Sequence, residues 1–236
     1  MPDSIAAVIF DFDGVIVHSE PLHFRAFKEA AASEGIELTE KQYYDELLGF
    51  DDRGAWKHLF KMHNRPHEPA IVLRLQTLKK DIVRDLIFRQ EYHALPGAPE
   101  FIRGLWRNYP LAICSGALRE EIEAMLEGIA LRDCFSVIVA AEDVDVGKPD
   151  PRGYKLALKQ LSEQAGKVIP PGKCLVVEDA PSVIENVKKE GFQTLAITTS
   201  YFADRLAMAD HIVKTLQPDE VLKHLPKLKL YTGPQS

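Results

Sequence analysis

No stretch of this 236-residue chain approaches the run of ~20 apolar residues that a membrane span requires. The first residues carry no basic-then-apolar signal pattern either, and Asp3 sits where a signal would be positive. Cysteine is scarce. Cys114, Cys134 and Cys174 form an odd set with no CxxC pair, which argues against a disulfide framework and for reduced thiols in a cytoplasmic protein. Positive charge is short as well: 29 Lys and Arg against 35 Asp and Glu leave a net charge of −6, which argues against nucleic acid as a partner. A few local cations and a metal can still outweigh that charge around a small phosphorylated substrate. Internal repeats and low-complexity tracts are absent. What is present is an apolar fraction of 46% and a charged fraction of 27%, enough for one large domain or for a core that carries a smaller second one.

Short, nearly continuous apolar runs recur at 6–12, 111–116, 136–143, 174–180 and 194–200, with 211–216 as a sixth. Such runs are the pattern of strands buried on both faces of a parallel sheet. Amphipathic, helix-length segments separate them at 118–129, 151–161 and 180–191; in the last, Pro181 near the start and Gly191 just past the end suit the two helix termini. Alternating strand and helix predict an α/β fold with a doubly wound, Rossmann-like parallel sheet. One region breaks the rhythm. From 17 to 93 only helical patterns occur, at 21–35, 40–49, 52–63 and 71–93, closed by "LPGAPE" (95–100). The expected organisation is a core of 1–16 and 94–236 with an inserted α-helical cap domain over 17–93. The terminal segment 221–230 reads as an amphipathic face against the sheet, and 230–236 as a frayed tail.

In an open α/β sheet, ligands bind outside the carboxyl ends of the strands. The first run ends in Asp11 and Asp13, the second in Ser115 and Gly116, the third leads to "GKPDP" with Lys148, and the fourth ends in Glu178 and Asp179. Each is ordinary alone, but the set is specific. Four acids converging on one crevice would force some of them to protonate unless a cation were present. A few hard oxygen ligands, with room for water and phosphate, describe a Mg²⁺ site. Lys148 can hold both a nucleophile and a phosphate oxygen. Ser115, placed directly before a helix, would join free backbone N–H groups in an anion site. Two acids one residue apart then have two tasks: one attacks phosphorus, the other gives and takes the proton. Gly14 lets the chain turn away directly above them.

The set "DFDGVIVHSE", "CSGA", "GKPDP" and "VVEDAPSVIENVKKEG" resembles the four signature motifs of the haloacid dehalogenase superfamily, and the helical insertion resembles the cap of its phosphoglycolate phosphatase and β-phosphoglucomutase branch. The resemblance implies that Asp11 is the nucleophile and forms an aspartyl-phosphate. Asp13 would be the general acid/base and lend its backbone carbonyl to Mg²⁺. Ser115 and Gly116 would bind the phosphoryl group, Lys148 would orient phosphate and nucleophile, and Glu178 and Asp179 would complete the metal site. Dehalogenases and phosphonatases of the family lack an acid two residues after the nucleophile, so Asp13 implies a phosphate ester of a small metabolite. By the same resemblance His23, Arg53 and Lys79 are cap residues that meet the substrate, and the expected assembly is a monomer or weak homodimer.

Hydrolysis is favoured over internal transfer because the lysine and asparagine that mutases carry after the motif-two serine are replaced by Leu118 and Arg119. A phosphosugar mutase is the alternative, and a non-enzymatic phosphate- or protein-binding module the third reading. His18, His58, His63, His67 and His93 read as surface or packing residues, and Trp56 and Phe60, four apart, as core of the cap. Asp143 and Asp145 read as loop residues, with Asp143 a candidate for the metal's outer shell.

Overall fold

The computed structural model describes residues 5–47, 50 and 52–231. Asp3, the inserted residues Leu48, Gly49 and Asp51, and 232–236 of the expected frayed tail lie outside the described residues. The chain divides into two compact units, Ser19–Tyr92 and Met1–His18 with His93–Ser236.

The unit Ser19–Tyr92 is helical. Helix α1 (Glu20–Ala32) has Pro21 in its first turn, where the missing N–H has no partner to lose, and buries Leu22, Ala26, Phe27, Ala30 and Ala31 along one face. Helix α2 (Glu40–Gln42) opens with a capping box: Gln42 N–H donates to Thr39 Oγ1 and Thr39 N–H to Gln42 Oε1. The helical reading of 40–49 needs correction here, because the chain widens into a π-helical segment, Tyr43–Leu47. The wider turn lets the successive rings of Tyr43 and Tyr44 both pack on Phe24. Helices α3 (Asp52–Met62) and α4 (Pro69–Phe88) complete the unit. Its core gathers Phe27, Tyr43, Trp56, Leu59, Phe60 and Leu75, with the Phe27 and Trp56 rings 4.6 Å apart.

The other unit is an α/β sheet. Its strands β1 (Ala7–Phe10), β4 (Leu111–Cys114), β5 (Val137–Val139), β6 (Cys174–Glu178), β7 (Gln193–Ile197) and β8 (His211–Val213) lie in the order β5-β4-β1-β6-β7-β8 and pair in parallel throughout. All four residues of β1 are fully buried, as its position between β4 and β6 demands. Strands β2 (Val17–His18) and β3 (His93–Ala94) form an antiparallel ribbon inside a stretch read as strand-free. Two paired residues on each side carry no periodic signal, so this ribbon left no trace in the pattern. It keeps 17, 18 and 93 with the sheet, and the division falls after His18 and before His93 rather than at 16 and 94.

Helices α5 (Ala98–Trp106), α6 (Arg119–Gly128), α7 (Arg152–Gln164), α8 (Pro181–Lys189) and α9 (Pro218–His224) connect or follow the strands. The amphipathic segment read at 221–230 is helical only to His224, since Pro226 bars the helical conformation at the residue before it. Leu225 and Leu228 nevertheless turn inward and are buried. Cys114, Cys134 and Cys174 are free and buried, as reduced structural thiols would be. Among the described residues no helix is long and apolar enough to cross a membrane.

Trp56 is the largest fully buried side chain of the helical unit. Trp56→Ala should cost about 3–5 kcal/mol in urea unfolding followed by circular dichroism. A loss below about 1 kcal/mol would place the ring outside the core.

Candidate active site

Strand β1 sits where the connections diverge, towards β4 and β5 on one side and β6 to β8 on the other, and its carboxyl end opens onto that divergence. The next residue is Asp11, 8% exposed, whose N–H still follows the ladder to Val177 O at 2.9 Å. Its Oδ1 accepts the Phe12 N–H at 2.6 Å and lies 2.5 Å from Lys148 Nζ. Asp13 follows on the turn that leads to the β2 ribbon, half-buried. Between that turn and the end of β6 there is no room for a side chain at Gly14. Its φ is +76°, and a Cβ there would stand 2.1 Å from Asp179 Oδ2 and 3.2 Å from Ser200 Oγ.

From β6 come Glu178, fully buried, and then Asp179. Glu178 Oε1 accepts from Lys148 Nζ at 2.9 Å and from the Tyr154 hydroxyl at 3.0 Å; its Oε2 accepts the Asp179 and Ala180 N–H groups, both at 2.7 Å. Ser200 donates its hydroxyl to Asp179 Oδ2. Lys148 thus bridges Asp11 and Glu178 from the loop before α7.

Ser115 is buried just past β4, its N–H bonded to Val139 O at 2.9 Å. The expectation that it directly precedes a helix is corrected. Helix α6 begins at Arg119, and Gly116, Ala117 and Leu118 form an intervening turn in which Ala117 N–H donates to Ser115 Oγ at 3.0 Å. That N–H is therefore already engaged, and Gly116 is exposed beside it. Asp143, a candidate for the outer shell of a metal, pairs with Arg119 and accepts the Ala140 N–H at 2.7 Å.

Burial pushes the Asp11 carboxyl well above its ordinary 3.8; Lys148 pulls it down, while the neighbouring anions Glu178 and Asp179 push it further up. Asp179 is raised to about 7 by burial and then by the charge of Glu178. Glu178 goes the other way. Burial opposes its charge, but the Lys148 ammonium and the hydrogen bonds from Lys148, Ala180 N–H and Tyr154 outweigh it. Burial likewise opposes the charge on Lys148, and Asp11 and Glu178 together hold its pKa above the ordinary 10.5.

Among the described residues, carboxylate oxygens of Asp11, Glu178 and Asp179 lie within 4.8 Å of one another. Three acids facing one ammonium, two of them driven towards protonation, fit a small divalent cation that prefers oxygen. Asp13 contributes no carboxylate to this group. The residues expected from the helical unit are placed as follows. His23 lies half-buried on α1 with its Nδ1 unbonded among the described residues. Arg53 is exposed in the first turn of α3. Lys79, 7% exposed on α4, is committed to Asp52, with Nζ 2.7 and 2.9 Å from its two oxygens and 4.9 Å from the Phe27 ring centroid. Sequence reasoning missed Tyr154 and Ser200, which lie 24 and 21 residues in sequence from the acids they bond. Nothing in their local pattern marks them.

The haloacid dehalogenase-like hydrolase family is matched over residues 5–185. A phosphorylated carbohydrates phosphatase of Thermotoga maritima is 28% identical over 224 residues, covering 94% of this chain and 99% of that one. A fructose-1-phosphate phosphatase of Escherichia coli is 25% identical over 202 residues, covering 84% of this chain and 98% of that one. Among solved structures, CbbY from Rhodobacter sphaeroides in complex with phosphate superposes with a TM-score of 0.78 at 25% identity, over 95% of this chain and 99% of the other.

The raised Asp179 carboxyl gives a pH test. In the metal-free fold it keeps its proton up to about pH 7, whereas the unfolded chain loses it near the ordinary 3.8. Its contribution to stability is therefore complete in acid and lost as pH rises from about 4 to about 7. A cation competing with that proton binds better in base, so added Mg²⁺ should raise the melting temperature more at about pH 8 than at about pH 5.5. A rise as large in acid, by scanning fluorimetry, would contradict it.

Proposed function

The chain belongs to the haloacid dehalogenase-like hydrolases, and from that premise we propose that it is a Mg²⁺-dependent phosphatase, a phosphoric monoester hydrolase acting on a small phosphorylated carbohydrate through an aspartyl-phosphate at Asp11. The observation that carries this reading is the Asp11–Lys148 contact of 2.5 Å at the carboxyl end of the central strand, with Asp13 two residues on. The phosphorylated carbohydrates phosphatase and the fructose-1-phosphate phosphatase supply the substrate class.

Asp11 attacks phosphorus through a carboxylate oxygen, and Phe12 N–H and Lys148 hold that carboxylate in place. Lys148 favours the ionised carboxylate against the pull of burial and offers the incoming phosphoryl group a positive charge. Asp11, Asp179 and the backbone carbonyl of Asp13 would hold a Mg²⁺, which would supply further positive charge for the phosphoryl oxygens. Ser115 turns its hydroxyl hydrogen to a phosphoryl oxygen while its own oxygen accepts from Ala117 N–H. Asp13 protonates the leaving alcohol, then takes a proton from the water that attacks the aspartyl-phosphate, and the site is restored.

Hydrolysis is favoured over mutase chemistry by the two residues after the Ser115 turn. Leu118 offers no polar group to a second phosphate. Arg119 is engaged inside the unit, with a terminal guanidinium nitrogen 2.9 Å from Ile138 O and paired with Asp143.

A panel of sugar phosphates assayed for released inorganic phosphate tests the reading. With Mg²⁺ the wild type should release phosphate from at least one member, and Asp11→Asn should lower kcat about a thousandfold or more with an unchanged melting profile. Residual turnover within about tenfold of wild type would remove Asp11 from the nucleophile's role. Conversion of β-glucose 1-phosphate to glucose 6-phosphate without phosphate release would favour the mutase.

A further inference from the structure

Glu178 has no acceptor position left. A carboxylate offers two lone pairs on each oxygen. Oε2 takes the Asp179 and Ala180 N–H groups at 2.7 Å each, and Oε1 takes Lys148 Nζ at 2.9 Å and the Tyr154 hydroxyl at 3.0 Å. An ion bound to Glu178 would have to displace one of these donors. Asp11 and Asp179 carry fewer donors: Asp11 takes Phe12 N–H and Lys148 at Oδ1, and the Asp179 side chain receives Ser200 at Oδ2 and shares a hydrogen bond with the Glu178 carboxylate.

Tyr154 is the donor that completes this arrangement, and its position is fixed from two sides. Its side chain is fully buried, and its ring centroid lies 5.2 Å from Lys148 Nζ, so the ring face and the hydroxyl serve the two partners of one ion pair. The first turn of α7 that carries it is pressed against β4: a Cβ on Gly153 would stand 2.7 Å from Cys114 Sγ. The turn cannot move closer to the sheet, and moving away would break the 3.0 Å bond to Glu178.

We infer that Tyr154 is a positioning residue whose hydroxyl and ring hold Glu178 as the anchor of Lys148, leaving Asp11 and Asp179 to bind the ion. The consequence for turnover rests on the phosphatase reading, because it is through Lys148 and Asp11 that the position of Tyr154 reaches the chemistry. The metal assignment does not rest on it.

Tyr154→Phe keeps the ring and removes only the hydroxyl. With p-nitrophenyl phosphate as probe, kcat should fall about tenfold while KM stays within about twofold. The Kd of Mg²⁺ from titration calorimetry should stay within about twofold of wild type. A hydroxyl that merely supports the fold would lower the melting temperature and leave kcat unchanged at 25 °C, and that result overturns the inference. So does a weakened Mg²⁺ affinity with kcat restored at saturating Mg²⁺, since Tyr154 would then act on an ion ligand. A second measurement needs no variant and no turnover: wild-type crystals soaked in MnCl₂, read by anomalous scattering. The expected map places Mn²⁺ on Asp11 and Asp179, with Glu178 still bonded to Tyr154 and Lys148. Mn²⁺ bonded to a Glu178 oxygen overturns the inference, whether or not any ester is hydrolysed. A wild type inert towards every ester would count against the phosphatase reading alone.

Discussion

The burial of one ammonium between two carboxylates is the constraint on which the rest of the sheet unit depends. Lys148 is 2.5 Å from Asp11 and 2.9 Å from Glu178; the acids come from the paired strands β1 and β6, and the lysine from the loop between β5 and α7. A buried charge without a partner is costly enough that losing either contact would leave the other group destabilised. Asp179 adds a third acid to a site with a single ammonium, and burial raises both it and Asp11. The metal-free fold therefore sets three acids against one cation, and two of them are driven towards protonation. That imbalance, set against a nearby turn with no room for a side chain at Gly14, is the physical case for a divalent ion and an anionic group of substrate.

The architecture delivers these groups for simple reasons. A fully buried central strand cannot bear charge along its length, so the first acid comes at its end, where the sheet stops and the connections diverge. The neighbouring strands obey the same rule: β4 is apolar until Ser115, and β6 until Glu178. Glu178 is the exception that remains inside the strand, and its carboxylate takes four donors from Lys148, Tyr154, Asp179 and Ala180. Burial and hydrogen bonding thus set Glu178, with its four donors, apart from Asp11 and Asp179, which take fewer.

The strands and most helices were legible because their burial is continuous or periodic: all six apolar runs contain sheet strands, and the helices at 118–129, 151–161 and 180–191 formed within a few residues of their expected ends. The acids and Lys148 were legible because each follows an apolar run or a distinctive loop. What escaped was structure fixed by partners distant in sequence. The β2–β3 ribbon is two residues long on each side, the π-helical segment depends on how Tyr43 and Tyr44 meet Phe24, and Tyr154 looks like any aromatic on an amphipathic helix until Glu178 is placed beside it. Ser115 was found, but the turn of Gly116, Ala117 and Leu118 before α6 was not, since no local residue forces the helix to wait until Arg119. Lys79 shows the same limit in the helical unit. Its commitment to Asp52 depends on α3 and α4 packing together.

Phosphorylation of Asp11 is the central event of the proposed reaction, and it can be seen directly. Wild-type protein turning over a sugar phosphate would be quenched in acid and reduced with borohydride, which converts an aspartyl-phosphate to homoserine, and its peptides read by mass spectrometry. Homoserine is expected at position 11 and at no other acid. Steady release of phosphate with Asp11 intact, or homoserine at a different position, would contradict the proposed reaction.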